Sequence, residues 1–329
     1  MNGTPIVVEV RSSRAWRAIL FWVLVALLLA SVAANYLLWN QLSAAVLGVN
    51  EKHVHGQKDA TKKLAIIRFH GTISPPFTER WMKQIQRAHD DDDVTGVLLS
   101  IDSPGGLVAD SHTLYREIQK LAETKPVYVC MKRIAASGGL YIAMSGGVES
   151  KIFVEPTTWT GSIGVIIPRY NASGLTEKIG VTSDSLKTGP LKDSLNPFRD
   201  LSDLDREVWD AIMDDAFGRF IGVIADNRPT LSEADVRTLA TGQIYTATQA
   251  VDNGLADEFG YEEDAIAALA SQAGFTDNNY NAVEYSAPNA WLDYVVSSAE
   301  APRSPLEEML NASVPRAMYY CSWNPFVGQ

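Results

Sequence analysis

The sequence predicts an α/β fold preceded by one N-terminal membrane-spanning helix, and three patterns predict it. From Leu64 onward, short apolar runs alternate with helically periodic segments. Strand, helix, strand in that order implies a sheet with crossover connections. Upstream, Ala18 to Val49 carries no charged residue, which exceeds the ~20 residues a bilayer span needs. With 329 residues, 46% of them hydrophobic and 20% charged, the chain is long enough to bury a sizeable core.

The N-terminal elements follow from charge. Arg11, Arg14 and Arg17 precede the span and Glu51 is the first charge after it, so the positive-inside rule puts residues 1–17 in the cytoplasm and the bulk of the chain outside it. The span is placed at 18–40, with Trp16, Tyr36 and Trp39 suited to the interfacial belts. Ser31-Val32-Ala33 also fits a small-x-small cleavage site, so a removable signal peptide is the alternative. Both readings export the chain from residue 51 onward. Residues 41–63 are expected as a polar linker, and 64–275 as the main domain. A C-terminal extension, 276–329, completes the chain.

Within the main domain, Leu64 to Phe69, Val97 to Ile101, Val127 to Met131 and Lys151 to Val154 are the expected strands, with Gly164 to Ile167 as a further candidate. Asp110 to Thr124 has Leu114, Ile118 and Leu121 at helical spacing, with Asp110 or Ser111 as cap. Ser202 with Asp205, and Ser232 with Asp235, have the spacing of capping boxes, the first opening a long helix that ends before Pro229. Thr246 to Asn253 followed by Gly254 predicts a small helix with a glycine stop.

Composition narrows the function. A formal net charge of -11 without a basic stripe argues against a nucleic-acid partner, since binding phosphates requires clustered Lys and Arg. The only cysteines, Cys130 and Cys321, form neither a disulfide framework nor a zinc-ligand spacing, and Cys130 reads as a buried thiol. His53 and His55 lack a third metal ligand. Asp90 to Asp93 lacks the spacing of a calcium loop. No metal and no cofactor is called for.

Two glycine-bearing segments each follow an apolar run, where an α/β sheet presents ligands. They are Asp102-Ser103-Pro104-Gly105-Gly106 and Ala135-Ala136-Ser137-Gly138-Gly139. Taken singly, each reads as an ordinary turn or cap. Together they suit an oxyanion hole, because the N–H groups of Gly106 and Gly138 can approach a substrate carbonyl where side chains are absent. Ser137 would stand at the first turn of a helix through Leu140, Tyr141 and Ala143. A serine hydroxyl needs a base. All five histidines precede Ser137; His112 is the best of them, but its place in an amphipathic helix favours a structural role. A lysine can serve if desolvation draws its pKa down from ~10.4. Lys187-Thr188-Gly189-Pro190-Leu191-Lys192-Asp193 offers two.

In order and approximate spacing, Ala135 to Gly139, Thr160-Gly161-Ser162-Ile163-Gly164 and Thr188 to Asp193 resemble the bacterial signal peptide peptidases of the serine-lysine type. Asp102 to Gly106 and the stretch from Thr241 to Asp257 fit as well. The resemblance implies a crotonase/ClpP-like fold, Ser137 as nucleophile, Lys192 as general base and Ser162 on the lysine amine. Gly106 and Gly138 would form the oxyanion hole. It also implies a homo-oligomeric ring in which one protomer's lysine serves a neighbour's serine. Signal peptide remnants and misfolded exported proteins would be the substrates, at the extracytoplasmic face of the bacterial inner membrane. Thr188 stands where serine is common, and Pro190 stiffens the turn. A catalytically silent, membrane-tethered scaffold is the alternative reading. A crotonase-type acyl-CoA enzyme shares the fold but needs no serine, and export would separate it from coenzyme A. The aromatic stretch from Asn278 to Gln329 lies outside the resemblance, with core packing as its plainest role and packing on the ring, lying against lipid or covering the active site as the others.

Overall fold

A computed structural model describes residues 14–47, 49–276, 278–286 and 317–321, in two compact units. The first contains helix α1, Arg14–Leu47. Its window Ala18–Leu37 has a mean hydropathy of 2.4, so by length and composition it can cross a membrane. The helix continues past residue 40, so the expected linker begins inside it.

The second unit is built on a nine-stranded sheet. In chain order its elements begin with β1 (Asn50–Gly56), β2 (Lys63–His70), α2 (Phe77–Asp90), β3 (Val94–Ser103), β4 (Gly105–Leu107), α3 (Val108–Ala122) and β5 (Val127–Ala136). Next come α4 (Gly138–Ala143), β6 (Ile152–Val154), β7 (Trp159–Gly161), α5 (Ser173–Lys178), α6 (Asp203–Asn227), α7 (Glu233–Leu239) and β8 (Ile244–Thr246). The last are α8 (Ala247–Asp252), β9 (Glu258–Phe259), α9 (Glu262–Gln272), β10 (Asn281–Ser286) and β11 (Met318–Tyr320). The main path runs β1-β10-β2-β3-β5-β6-β9, parallel from β10 to β9, with β7 beside the end of β5 and β8 antiparallel to β7.

The central strands read as nearly continuous apolar runs, broken by Arg68 in β2 and Ser100 in β3, because both faces are covered. Ala65, Ile67 and Phe69 of β2, Val97, Leu99 and Ile101 of β3, and Val127, Val129 and Met131 of β5 join the core that includes α2, α3, α4 and α6. The alternate residues Leu64, Ile66, Leu98, Tyr128 and Cys130 meet Ala265, Ile266 and Leu269 of α9 on the other face. A polar network fastens that second layer. Arg68 donates two hydrogen bonds to Glu262, at 2.5 and 2.7 Å, and Ser100 donates a third at 2.8 Å.

Three expectations need correction. Residues 50–56, placed in the linker, form β1 antiparallel to β10, so the sheet extends beyond 64–275 at both ends. Helix α3 starts at Val108, directly off β4, and its N-cap is Leu107 without a side-chain bond; the Ser111 hydroxyl instead donates to Leu107 O at 2.9 Å. Gly164 to Ile167 is not a strand, because its one sheet-like partner is a single bridge from Ile166 to Met318. Conversely, Ser202 and Ser232 cap their helices as expected, each in a reciprocal box with the residue three positions on, and Thr246 does the same with Gln249, a box the sequence reading did not include.

Candidate active site

The loops that leave the carboxyl ends of β3 and β5 converge. Strand β5 passes straight into α4 through Ser137, whose φ of 53° and ψ of -114° lie outside the regions a side chain favours. Holding a residue there costs on the order of 1–3 kcal/mol, so its surroundings must fix it. The Ser137 N–H donates to Gly161 O at 2.8 Å, and Ser137 O accepts from the Tyr141 N–H at 2.9 Å. Pinned on both sides, the serine ends a strand and opens a helix. Its Oγ is buried and meets no hydrogen-bond partner among the described residues.

Gly105 and Gly106 are required by close backbone approach. A Cβ on Gly106 would sit 2.0 Å from Ile73 O, and one on Gly138 would sit 2.6 Å from Ser111 Oγ and 3.1 Å from Gly106 N. The two glycine loops therefore touch. Ile73 clamps the first one, its N–H donating to Gly105 O at 2.9 Å and its carbonyl accepting from Leu107 N–H at 2.8 Å. Gly138 opens α4, where first-turn N–H groups lack intrahelical partners and carry the positive end of the helix dipole.

Ser162 also lies in left-handed backbone, with φ 49°. Its N–H donates to Gln243 O at 2.7 Å, and its side chain shares a hydrogen bond with the Cys321 thiol. Beside it opens a cavity of about 550 Å³ lined partly by Gly164, Val165, Gly242 and Ile244.

The two lysines have different settings. Lys187 donates to Asp193 at 2.7 Å, and Arg199 bonds the same carboxylate at 3.0 Å. These contacts, Lys187 first, hold Asp193 below the usual carboxylate range. Arg199 continues to Asp205 in the first turn of α6, and Trp209 Nε1 donates to Ser194 Oγ at 3.0 Å. Lys192 is exposed, and its amine meets no partner among the described residues. It is not within hydrogen-bond reach of Ser137 Oγ in this chain. His112 is engaged elsewhere, with Nδ1 2.8 Å from the Tyr141 hydroxyl. Burial, with Arg219 and Arg116 nearby, lowers its pKa, so the neutral ring accepts from the phenol.

Comparison with known proteins fits this architecture. The model of peptidase family S49 matches residues 119–276, and that of the Clp proteases matches 50–179. The chain is 35% identical over 256 residues to a candidate signal peptide peptidase SppA of Enterococcus faecium, covering 74% of this chain and 73% of that one. The chain belongs to peptidase family S49. This S49 peptidase is also 37% identical to a candidate protease of Synechocystis, over 65% of its own length and 75% of the relative's. With the chloroplastic serine protease SPPA of Arabidopsis thaliana it shares 32% identity, over 71% of its length and 35% of the relative's. It is accordingly a serine-type protease with a Clp-like α/β domain.

Two features of the S49 peptidase escaped sequence reasoning. The Asp193–Arg199–Asp205 chain that holds the lysine loop to α6 has no periodicity to betray it; its only signal is the capping-box aspartate at Asp205. The second is β11, which pairs with the glycine loop in the register Met318↔Leu107, Tyr319↔Gly106 and Tyr320↔Gly105. Three residues at such separation leave no local pattern, although the aromatic run Tyr319-Tyr320 was visible.

Proposed function

We propose that this S49 peptidase is a membrane-anchored endopeptidase in which Ser137 is the nucleophile and Lys192, supplied by a neighbouring protomer of a ring, is the base. The observation that carries the reading is the pairing of opposites. Ser137 is buried, strained and without a base among the described residues of its own chain, while Lys192 stands exposed on an anchored loop. Large apolar side chains stand exposed on that segment, among them Ile179, Leu186 and Phe198, as suits a face that another copy covers.

The chemistry is acyl transfer. The Lys192 amine takes the Ser137 proton as Oγ attacks the scissile carbonyl, and the N–H groups of Gly106 and Gly138 hold the developing oxyanion. The lysine then gives its proton to the leaving amine and activates the water that frees the acyl product. Ser162, beside the cavity, would orient the amine once the Cys321 thiol has moved away. A lysine works as a base only when taken out of water, and a seat between protomers provides that. Signal peptide remnants and misfolded exported proteins fit a site tethered by α1 on the extracytoplasmic face of a bacterial inner membrane.

Mixing separately inactive chains tests this. Ser137→Ala and Lys192→Ala should each abolish peptide cleavage. Reassembled one to one, they should recover about a quarter of the sites, because random neighbours in a head-to-tail ring pair an intact serine with an intact lysine that often. A mixture that stays silent while each parent assembles would place the base in the same chain. Turnover by Ser137→Ala alone would show that the wrong serine was chosen.

A further inference from the structure

We propose that the space between α4 and α6 is the pocket for the residue preceding the scissile bond, and that it selects a large aromatic side chain, tyrosine first. The proposal rests on the peptidase reading above and adds the substrate preference. Its basis is the way this chain's own residues 317–321 lie across the site.

Strand β11 is held in extended form from both sides. Along one edge it pairs antiparallel with β4; along the other, Ile166 N–H donates to Met318 O and Met318 N–H to Ile166 O, both at 3.0 Å. Backbone pairing of an extended segment into an open edge is a general way to hold a peptide. The register puts one carbonyl at the chemistry. Tyr319 O lies 2.1 Å from the point a Cβ on Gly105 would occupy, and Gly138 N lies 2.6 Å from that same point. Past this carbonyl the chain continues through Tyr320 to Cys321, whose thiol meets Ser162 at the rim of the 550 Å³ cavity. That cavity would receive the substrate residues on the carboxyl side of the cut.

The Tyr319 ring enters a pocket built to its shape. It is fully buried, 5.0 Å from the Tyr141 ring and 4.7 Å from Phe220, and its hydroxyl donates to Ala216 O at 2.6 Å. Tyr141 lies one helical turn beyond Ser137, so the pocket adjoins the nucleophile. Two aromatic walls take the ring, and the carbonyl takes the hydroxyl. Phenylalanine forgoes that bond while the carbonyl keeps its own helical partner in α6, a loss of about fivefold in kcat/KM. Alanine leaves the pocket empty, a loss of at least about a hundredfold.

The test uses the full chain in detergent micelles, with fluorogenic peptides that differ only in the residue before the cleaved bond: Tyr, Phe, Leu or Ala. The expected order of kcat/KM is Tyr, Phe, then Leu, with Ala last. Tyr319→Ala empties the pocket and should raise kcat/KM for the Tyr peptide about tenfold, chiefly through KM. Phe220→Leu removes one aromatic wall and should lower the Tyr-to-Ala preference ratio. A synthetic peptide of residues 314–323 should inhibit the Tyr319→Ala chain competitively, and the same peptide with alanine for Tyr319 should not. Equal rates for all four substrates would overturn the proposal. So would a Tyr319→Ala chain that loses activity and melts early while the free peptide fails to inhibit, since Tyr319 would then be a core residue. Fluorophosphonate labelling separates the two levels: a chain labelled on Ser137 with no preference overturns the pocket alone. One neither labelled nor active overturns the peptidase reading and the pocket with it.

Discussion

Replacing Gly106 by alanine tests whether the first glycine loop is catalytic or only a turn. The added Cβ would fall 2.0 Å from Ile73 O, 2.6 Å from Ile73 C and 2.7 Å from Ile73 N. All three are backbone atoms, so no side chain can swing aside, and the loop must separate from Ile73. That breaks the bonds Ile73 N–H to Gly105 O and Leu107 N–H to Ile73 O. At ~1 kcal/mol each the loss is about 2 kcal/mol, or about 4–8 °C in Tm for a domain of this size. A domain stable by ~5–15 kcal/mol stays folded at 25 °C after such a loss, so unfolding cannot explain a large fall in rate. Displacing an oxyanion donor, by contrast, costs on the order of 10²–10³ in kcat. The assay is kcat on a fluorogenic peptide at 25 °C beside a thermal melt. A variant that melts lower yet keeps kcat within about threefold would refute the oxyanion role and leave the loop a structural turn.

Three further outcomes come from charge, burial and assembly. Burial works against the charge on Glu262, but hydrogen bonds from Arg68 and Ser100 outweigh it and hold the carboxyl below its ordinary value. A depressed carboxylate stabilises the fold above its unfolded pKa of ~4.3 and ceases to do so as pH falls through the folded value. Glu262→Gln should therefore cost about 2 kcal/mol at pH 7, less than a fully buried pair because Arg68 keeps Glu284 at 3.2 Å. The gap between the two melting curves should close below about pH 4; a gap independent of pH would contradict the assignment. Burial pushes the Cys130 thiol up to about 12, whereas Cys321 is partly exposed. A maleimide added to the native protein should modify Cys321 and reach Cys130 only after denaturation, as peptide mapping by mass would show. Finally, a base supplied by a neighbour makes activity depend on chain concentration, which dilution would reveal.

The fold was legible where strands are buried on both faces. Leu64 to Phe69, Val97 to Ile101 and Val127 to Met131 announce themselves because nearly every residue in them packs into apolar core, Arg68 and Ser100 being the polar exceptions that meet Glu262. Strand β1 did not, because Asn50-Glu51-Lys52-His53-Val54-His55-Gly56 is an exposed edge whose extended state comes from pairing with β10, more than two hundred residues away. Helix α3 shows the reverse error: Asp110 and Ser111 look like caps, yet the helix starts earlier because β4 delivers the chain already extended at Leu107. Capping boxes at Ser202 and Ser232 were legible because both halves lie within four residues.

The site divides along the same line. Ser137, Gly106 and Gly138 are marked in the sequence because their demands are local: a strained turn, and backbone approach that excludes a Cβ. The role proposed for Lys192 is nonlocal: among the described residues its amine is exposed without a partner, and Ser137 Oγ has none either. If the two meet only across protomers, the serine's geometry and the protein's activity respond differently to dilution. Ser137 is fixed by Gly161 O and by the first turn of α4 within its own chain, so circular dichroism and the melt of the domain should change little as detergent-solubilised protein is diluted. Cleavage per chain should fall steeply once rings dissociate, and return on reconcentration. Specific activity that stays constant down to concentrations where sedimentation finds only monomers would require Lys192, or another base, to reach Ser137 by movement of the loop from Val181 to Leu201 within one chain.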